Sequence, residues 1–514
     1  MESKILSSDT WKAPGAKALI INNIKKTWPI WAAELFFLSW LIPVSLTFDM
    51  IYGRNYLNLS VPFDIAKYLL VPACILMAMK VFGYLMKDKS TTFFHSLPFT
   101  RTKLFVVNAV SGFLLIIIPL FLVGIASVII AAVKGHNIIL YTIECFLLLC
   151  CDCIYLYGFT ILMAIIFGTK VSGYAMTGIM FFYVEIISNI LNTLFSNIHP
   201  SVYSTFIFPR GFFQFLSPIS LVSNINVSSK SWVTNESNYY FSNVALTVTE
   251  ELIVGALMII AAFLLYKHRK SEKSGELVAF NSFGIVFKWG FAFSFGAFLT
   301  MFLGETVIGS FDKQSTVNIV QTILFIIFVV LSYLIAEMIL RKKFNVFYKL
   351  RFELLLPIAA SILFALVLLF DAFGITRYVP DKEDISNINV HINLTLDDAE
   401  IYYAGTKKYN TYYFKNLSKD KPSENAKIDA FLDLHKSIVA DDPELYSHNR
   451  TGYDKYVISD KLTEEYDTSL YFWYNLKDGT DMARQYYVPF EYVEKYLDQM
   501  DTYNDLPETT GYYQ

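Results

Sequence analysis

The run Ile116-Ile117-Ile118-Pro119-Leu120-Phe121-Leu122 decides the fold class of this 514-residue chain. It offers water no polar side chain, and it carries a proline where a soluble helix would break. A helix in hydrocarbon tolerates that proline, because neighbouring helices and small backbone adjustments satisfy the freed carbonyl. The run lies within an apolar stretch near residues 105–133. Eight similar stretches flank it, near 28–48, 65–86, 138–168, 172–196, 246–266, 286–304, 317–340 and 354–374. About 20 apolar residues suffice to cross a ~30 Å hydrocarbon core as a helix. Pro43, Pro72 and Pro119 are expected to kink the first three spans. The third and fourth stretches are over-long, and are expected to tilt or to extend into the cytosol.

Composition agrees. Hydrophobic residues make up 54% and charged residues 17%, with a mean hydropathy of +0.43; soluble domains have roughly 45–50% and 25%. These values exclude a disordered chain and argue against a nucleic-acid partner or an ordinary soluble enzyme. The net charge of −3 hides an asymmetry: residues 1–380 carry +9 and residues 381–514 carry −12. Two bodies with different solvents are therefore joined near residue 380. With the N-terminus in the cytosol, the segments between spans divide into inner ones holding 21 Lys and Arg and outer ones holding seven. That bias satisfies the positive-inside rule. The expected organisation is an interfacial cytosolic helix over 1–26, a transmembrane domain over 27–378 with an outer loop at 197–245, and an acidic body outside the cell membrane over 379–514. In the first of these, Ala16, Leu19, Ile20 and Ile24 share one helical face, with Lys17, Lys25 and Lys26 elsewhere. No secretory signal pattern opens the chain.

Soluble-enzyme chemistry is missing from the sequence. It contains no Gly-x-x-x-x-Gly-Lys-Ser/Thr phosphate loop, no His-Glu-x-x-His and no Gly-x-Ser-x-Gly, and its seven histidines are scattered. Cys74, Cys145, Cys150, Cys151 and Cys153 all fall in spans, so they form no secreted disulfide framework. The Cys150-Cys151-Asp152-Cys153 cluster has no histidine beside it and reads as small packing residues, with no metal site assigned. No catalytic or cofactor-binding residue is assigned either.

Ionisable groups inside spans are costly and often mark pathways. Asp152 and Glu185 lie nearest to mid-span and are the candidate pathway residues. Glu34, Lys80 and Glu337 read as snorkelling to an interface, and Glu250-Glu251 as lying in headgroups or an outer vestibule.

The inner loop between spans two and three displays Phe93, Phe94, Leu97 and Phe99 around Pro98, with Thr100 placed to cap the following helix. Apolar groups shown to the cytosol need a partner surface. The segment Phe94-His95-Ser96-Leu97-Pro98 with Thr100-Arg101 resembles the "HSLP-x-[ST]-R" segment of bacterial ABC-exporter permeases of the acetoin-utilisation (Ytr-like) type. A second stretch, Tyr266-Lys267-His268-Arg269-Lys270-Ser271-Glu272-Lys273-Ser274-Gly275-Glu276 followed by Ala279-Phe280, is similar to that family's "Y-x-x-R-x-x-E-x-[AS]-G-x-x-x-x-F".

The resemblance covers residues 10–380 in layout. It implies a permease subunit without its own ATPase, coupled through Phe93, Phe94, His95, Leu97, Pro98, Phe99, Arg101 and Lys103, and through Arg269 and Glu272, to a separate ABC ATPase subunit that supplies ATP and Mg. It also implies assembly as a homodimer or with a second permease subunit, the remaining surface facing membrane lipid. The basic stretch 267–273 touches either the ATPase or the anionic inner leaflet. The outer stretch 206–216 reads as re-entrant helices or as an aromatic anchor.

The acidic body reads as a small α+β domain. Ile388, Val390, Ile392 and Leu394 alternate along a strand, and Ile428, Phe431, Leu432, His435 and Ile438 share a helical face. Lys477-Asp478-Gly479 marks a hairpin between 470–474 and 484–488, and 490–499 reads as a short helix. The order Leu434-His435, strand, Lys-Asp-Gly, Arg484-x-Tyr486 resembles a domain of unknown function appended to such permeases. His435 reads either as a helical residue packed at the domain surface or as a binding residue. The body is expected either to capture a cationic ligand or to act as a soluble shield.

The expected fold is thus an α-helical polytopic membrane protein of about nine spans with a small C-terminal α+β extracytoplasmic domain. The expected function is the permease subunit of an ATP-driven exporter. Two other readings stay open: a membrane-anchored sensor of extracellular stress or peptides, and an ion-coupled secondary transporter.

Overall fold

A computed structural model of the chain describes residues 14–51, 56–57, 60–134, 136–205, 218–222, 230–231, 244–309, 311, 313–344, 354–394, 411–418, 422–441, 468–477, 481–488 and 493. The chain divides into two compact units, residues 1–186 with 211–287 and residues 187–210 with 288–514.

The first unit is helical. Its elements are α1 (Pro14–Ser39), α2 (Ser60–Val81), α3 (Asp88–Ser96), α4 (Arg101–Lys134), α5 (His136–Ile166), α6 (Lys170–Phe181) and, after α7 (Tyr183–Ile198) of the second unit, α8 (Val244–His268). Helix α1 runs unbroken from the lysine-bearing region into the apolar one. It passes through a π-helical turn at Trp40–Val44 that holds Pro43, then continues as Ser45–Ile51. The π turn is the local adjustment that takes up the proline. Pro72 and Pro119 sit inside the continuous helices α2 and α4.

The start of α1 differs from the expected interfacial helix. Ala16 and Leu19 are buried, but Ile24 is exposed and the buried face continues through Asn23 and Thr27. Asn23 Nδ2 donates to Asn108 Oδ1 at 3.0 Å and to Ser111 Oγ at 2.8 Å, both on α4. This end of α1 is therefore packed against a neighbouring helix. Helices α5 and α8 approach closely at two glycines. A Cβ on Gly158 would lie 2.9 Å from the Gly255 carbonyl oxygen, and one on Gly255 would lie 3.0 Å from the Tyr155 Cα. Small residues of this kind let membrane helices pack backbone to backbone.

The second unit contains most of α7 and of α9 (Asn281–Ile308), then α10 (Gln314–Arg341) and α11 (Leu355–Leu369). Phe293, Phe325 and Phe364 bring these three helices together. Glu337 is buried between Lys288 Nζ at 3.2 Å and Arg341 at 2.5 Å, so it is an internal ion pair and not a snorkelling group.

Among the described residues seven helices are long and apolar enough to cross a membrane. The fifth expected span is interrupted at Phe182, and counting α6 with α7 as one broken span gives eight. The ninth, α11, is a shorter apolar helix of 15 residues. Phe36, Phe37 and Trp40 on one helix, and Phe121, Leu122, Ile125, Ile129 and Val133 on another, point outward. Water would penalise such stripes, whereas lipid solvates them.

The second unit also holds a five-stranded antiparallel sheet. Its strands are β1 (Val202–Thr205), β2 (Ile385–Leu394), β3 (Thr411–Ser418), β4 (Thr468–Leu476) and β5 (Asp481–Val488), in the order β1-β5-β4-β2-β3. Strands β4 and β5 form the hairpin, with Asn475 opposite Asp481. The alternation in β2 buries Ile388, Val390 and Ile392 against α12 (Pro422–Asp441), which turns Ile428, Phe431, Leu432, His435 and Ile438 into the same core. Edge strand β1 was not anticipated: four residues after α7 add to β5, and Gln485 N donates to Ser201 O at 3.0 Å. Stretch 206–216 lies outside the described residues, as does 490–499 apart from the buried Val493.

His435 is fully buried, not at a surface. Its Nδ1 lies 2.7 Å from Tyr474 Oη and its Nε2 lies 3.0 Å from Tyr486 Oη, and the ring stacks on Phe472. Burial, reinforced by the nearby Arg484 cation, holds the imidazole well below its ordinary pKa, so it is neutral in the folded state. The unfolded chain takes up a proton at His435 near pH 6.5 and the folded one does not, so stability falls as pH drops through that value. Between pH 7.5 and 5.5 the loss is about 1.4 kcal/mol, or roughly tenfold in amide protection. Hydrogen exchange of α12 in the full protein, corrected for intrinsic rates, is expected to show this difference, and His435→Gln to abolish it.

Candidate functional site

The sequence singles out two segments, 93–103 and 266–276, and the structure brings them together in the first unit. Helix α3 begins at Asp88, whose carboxylate favours the positive end of the helix dipole. Thr91 Oγ1 donates back to the carbonyls of Tyr84 at 2.8 Å and Lys87 at 3.0 Å, tying α3 to the short 3-10 turn Gly83–Met86. After Ser96 the chain leaves the helix at Leu97 and Pro98. Thr100 Oγ1 then accepts from Lys103 N at 3.3 Å and opens α4.

The aromatic residues divide by role. The Phe94 ring stacks on Tyr84 with centroids 4.5 Å apart, and Tyr84 Oη meets Tyr266 Oη at 2.8 Å. Phe99 packs on Gly15 of α1, where a Cβ would come within 2.3 Å of the ring. Phe93, at 61% exposure, is the large apolar group left facing out. Leu97 is half-buried, while Pro98, Lys103 and Glu272 are exposed. His95 Nδ1 lies 3.1 Å from Ser271 Oγ. Burial first, then the Arg101 and Arg269 cations, lowers the His95 pKa, so the ring is neutral at pH 7. Arg101 donates to the carbonyls of Lys267 at 3.1 Å and Arg269 at 3.2 Å.

Arg269 holds the assembly. It is 4% exposed, and the surrounding basic run gave no sign that this one residue turns inward. Its guanidinium donates to Ala164 O at 3.3 Å, Ile165 O at 2.6 Å and Leu85 O at 2.9 Å. The first two are last-turn carbonyls of α5, which lack helical partners and sit at the negative end of its dipole. Leu85 belongs to the turn that precedes α3. Burial lowers the Arg269 pKa to about 10, with Tyr84 and Tyr266 drawing it back up, so it remains a cation at neutral pH. Beside it Phe167 and Val278 form a β-bridge, extended by Ala279 N donating to Ile166 O at 2.7 Å and Gly168 N to Leu277 O at 3.2 Å. One buried cation thus joins the end of α5, the loop after α8 and the base of α3, and leaves Phe93 at the rim.

The candidate pathway residues Asp152 and Glu185 lie on different helices, α5 and α7. Glu185 is half-buried near the start of α7. Asp152 is fully buried in α5 and faces Glu251 of α8, also fully buried, with Lys67 of α2 nearby. Lys67 Nζ pairs with Asp64 at 3.4 Å and lies over the Phe63 ring. Glu34 of α1 is buried at 3% and does not snorkel, whereas Lys80 is exposed. Sequence reading missed Glu251 and Lys67 as interior groups because both lie near span ends. The available signal was Gly255, one turn after Glu251 on the same helical face.

No group of three or more metal-ligating side chains occurs among the described residues. The fold and its outward apolar stripes define a multi-pass α-helical membrane protein. Comparison with protein-family models, curated proteins and solved structures gives no match to this chain.

Arg269→Met removes the donor from three carbonyls and is expected to cost about 2–3 kcal/mol locally. Hydrogen exchange across 83–97 should accelerate by roughly 30-fold or more. Arg269→Lys should recover only part, because one ammonium cannot reproduce the planar fork. Unchanged exchange in Arg269→Met would remove Arg269 from this role.

Proposed function

We propose that the chain is the membrane-spanning permease subunit of an ATP-driven transporter, operating as an exporter and coupled to a separate nucleotide-binding subunit. The observation that carries the reading is the platform of α3 and the 267–276 loop. An exposed Phe93 is presented on a short helix that is locked, through Tyr84, Arg269 and Arg101, to the ends of α4, α5 and α8. A partner that seats Phe93 in a pocket gains a lever on three spans at once. An aromatic anchor at the centre of an interface is typically worth about 2–4 kcal/mol. The partner supplies ATP and Mg; this chain supplies the helices that reorient. The subunit pairs with a second copy or a sister permease in the cell membrane.

A topological argument supports placing the sheet outside the cell. Strand β1 follows α7 directly and pairs with β5, which follows α11. Strands of one sheet share one side of the membrane, so the chain between them crosses an even number of times. Helices α8, α9 and α10 provide three crossings, and α11 must provide the fourth. At about 22 Å it is short for a ~30 Å core, and local thinning of the bilayer accommodates it. With the N-terminus and the platform in the cytosol, the acidic sheet lies outside.

The test is purification from native membranes in mild detergent with ATPase assay and mass spectrometry. Wild type is expected to bring down a nucleotide-hydrolysing subunit. Phe93→Asp, which alters an exposed residue and leaves the Arg269 contacts intact, is expected to lower its recovery at least about tenfold. Wild-type protein that carries no ATPase under conditions preserving the complex would refute the reading.

A further inference from the structure

Two carboxyls are buried side by side in the first unit with no donor to answer them among the described residues. Asp152 and Glu251 are both fully buried, and neither carboxylate oxygen of either residue receives a hydrogen bond from a described residue. They come from different helices, brought together where Gly158 and Gly255 let α5 and α8 touch one turn further on. The charged and titratable groups around them come from every packed element. Lys67 and its partner Asp64 come from α2, Glu250 from α8, and Cys151 and Cys153 from α5 itself. Beyond Cys153 lie Cys74 of α2 and Glu34 of α1. Both oxygens of Glu34 also lack a donor among the described residues. This is a second unanswered carboxyl site, reached through another helix.

Two adjacent carboxylates cannot both stay ionised where water is excluded, because their repulsion and desolvation exceed what one neighbouring ammonium returns. A proton resolves this: held between the two, it turns one acid into the missing donor and leaves one negative charge opposite Lys67. We propose that Asp152 and Glu251 form a proton-binding site that holds one shared proton at neutral pH. Releasing it places two like charges one turn from the close α5–α8 contact at Gly158 and Gly255 and drives the two helices apart. Helix α5 is also the helix whose far end Arg269 grips. The inference does not depend on an ATPase partner.

The test uses the full protein in lipid nanodiscs. Infrared spectroscopy at pH 7 is expected to show a protonated-carboxyl C=O band that is lost in Asp152→Asn/Glu251→Gln. A spectrum unchanged by the double substitution overturns the proposal. Should the double variant fail to fold, wild type alone decides. A hydrophobic carbodiimide, which takes the proton of a protonated carboxyl and is then attacked at carbon by the carboxylate oxygen, is expected to modify Asp152 or Glu251 at pH 7, located by mass spectrometry. The rate should fall about tenfold per pH unit above the midpoint of the pair. Absence of modification at both residues, with Glu34 reacting in the same sample, overturns it.

Discussion

The Arg269 guanidinium is the contact on which the first unit's loop face depends. A helix that ends at a membrane surface leaves its last carbonyls without partners, and a buried arginine without a carboxylate is expensive. Each problem answers the other: α5 supplies the negative end of its dipole and two carbonyls, and the loop after α8 supplies the cation. Because the same guanidinium reaches Leu85, the turn before α3 is fixed relative to α5, and α3 inherits that position. Without this link, α3 and its preceding turn, joined to each other by Thr91 and the Phe94–Tyr84 stack, would be held to the loop after α8 by the Tyr84–Tyr266 and His95–Ser271 contacts.

The same constraint acts inside the spans with the opposite outcome. In the second unit Glu337 is matched by two cations and is explained by structure alone. Asp152, Glu251 and Glu34 have no donor among the described residues. Hydrocarbon penalises an unanswered charge far more than the rim of a loop does.

Much of the architecture was legible because hydrophobic period and length survive in a single sequence. Seven of the nine apolar stretches coincide with helices long enough to span, the fifth is broken at Phe182 and the ninth is a shorter helix, while the alternation of β2 and the buried face of α12 follow the pattern of their residues. What was hidden depends on pairing across long separations. Strand β1 is four residues long and finds β5 almost 280 positions later. Asp152 and Glu251 meet from different spans, so neither position announces the other. The run Lys267 to Lys273 reads as a basic surface for an ATPase or the inner leaflet, and only the helix end beneath it selects Arg269 for burial. The two loop motifs were visible as motifs; their contact through Arg101, Arg269 and His95 was not.

The central claim is that the Phe93 platform faces the cytosol and the β-sheet faces the outside. Single cysteines at Phe93 and Trp473, both exposed, can be introduced after replacing the five native cysteines and probed with a membrane-impermeant maleimide. The account predicts that Trp473→Cys is labelled in intact cells and Phe93→Cys only after permeabilisation. Labelling of both from the same side would contradict it, because an odd number of crossings would then no longer separate platform from sheet.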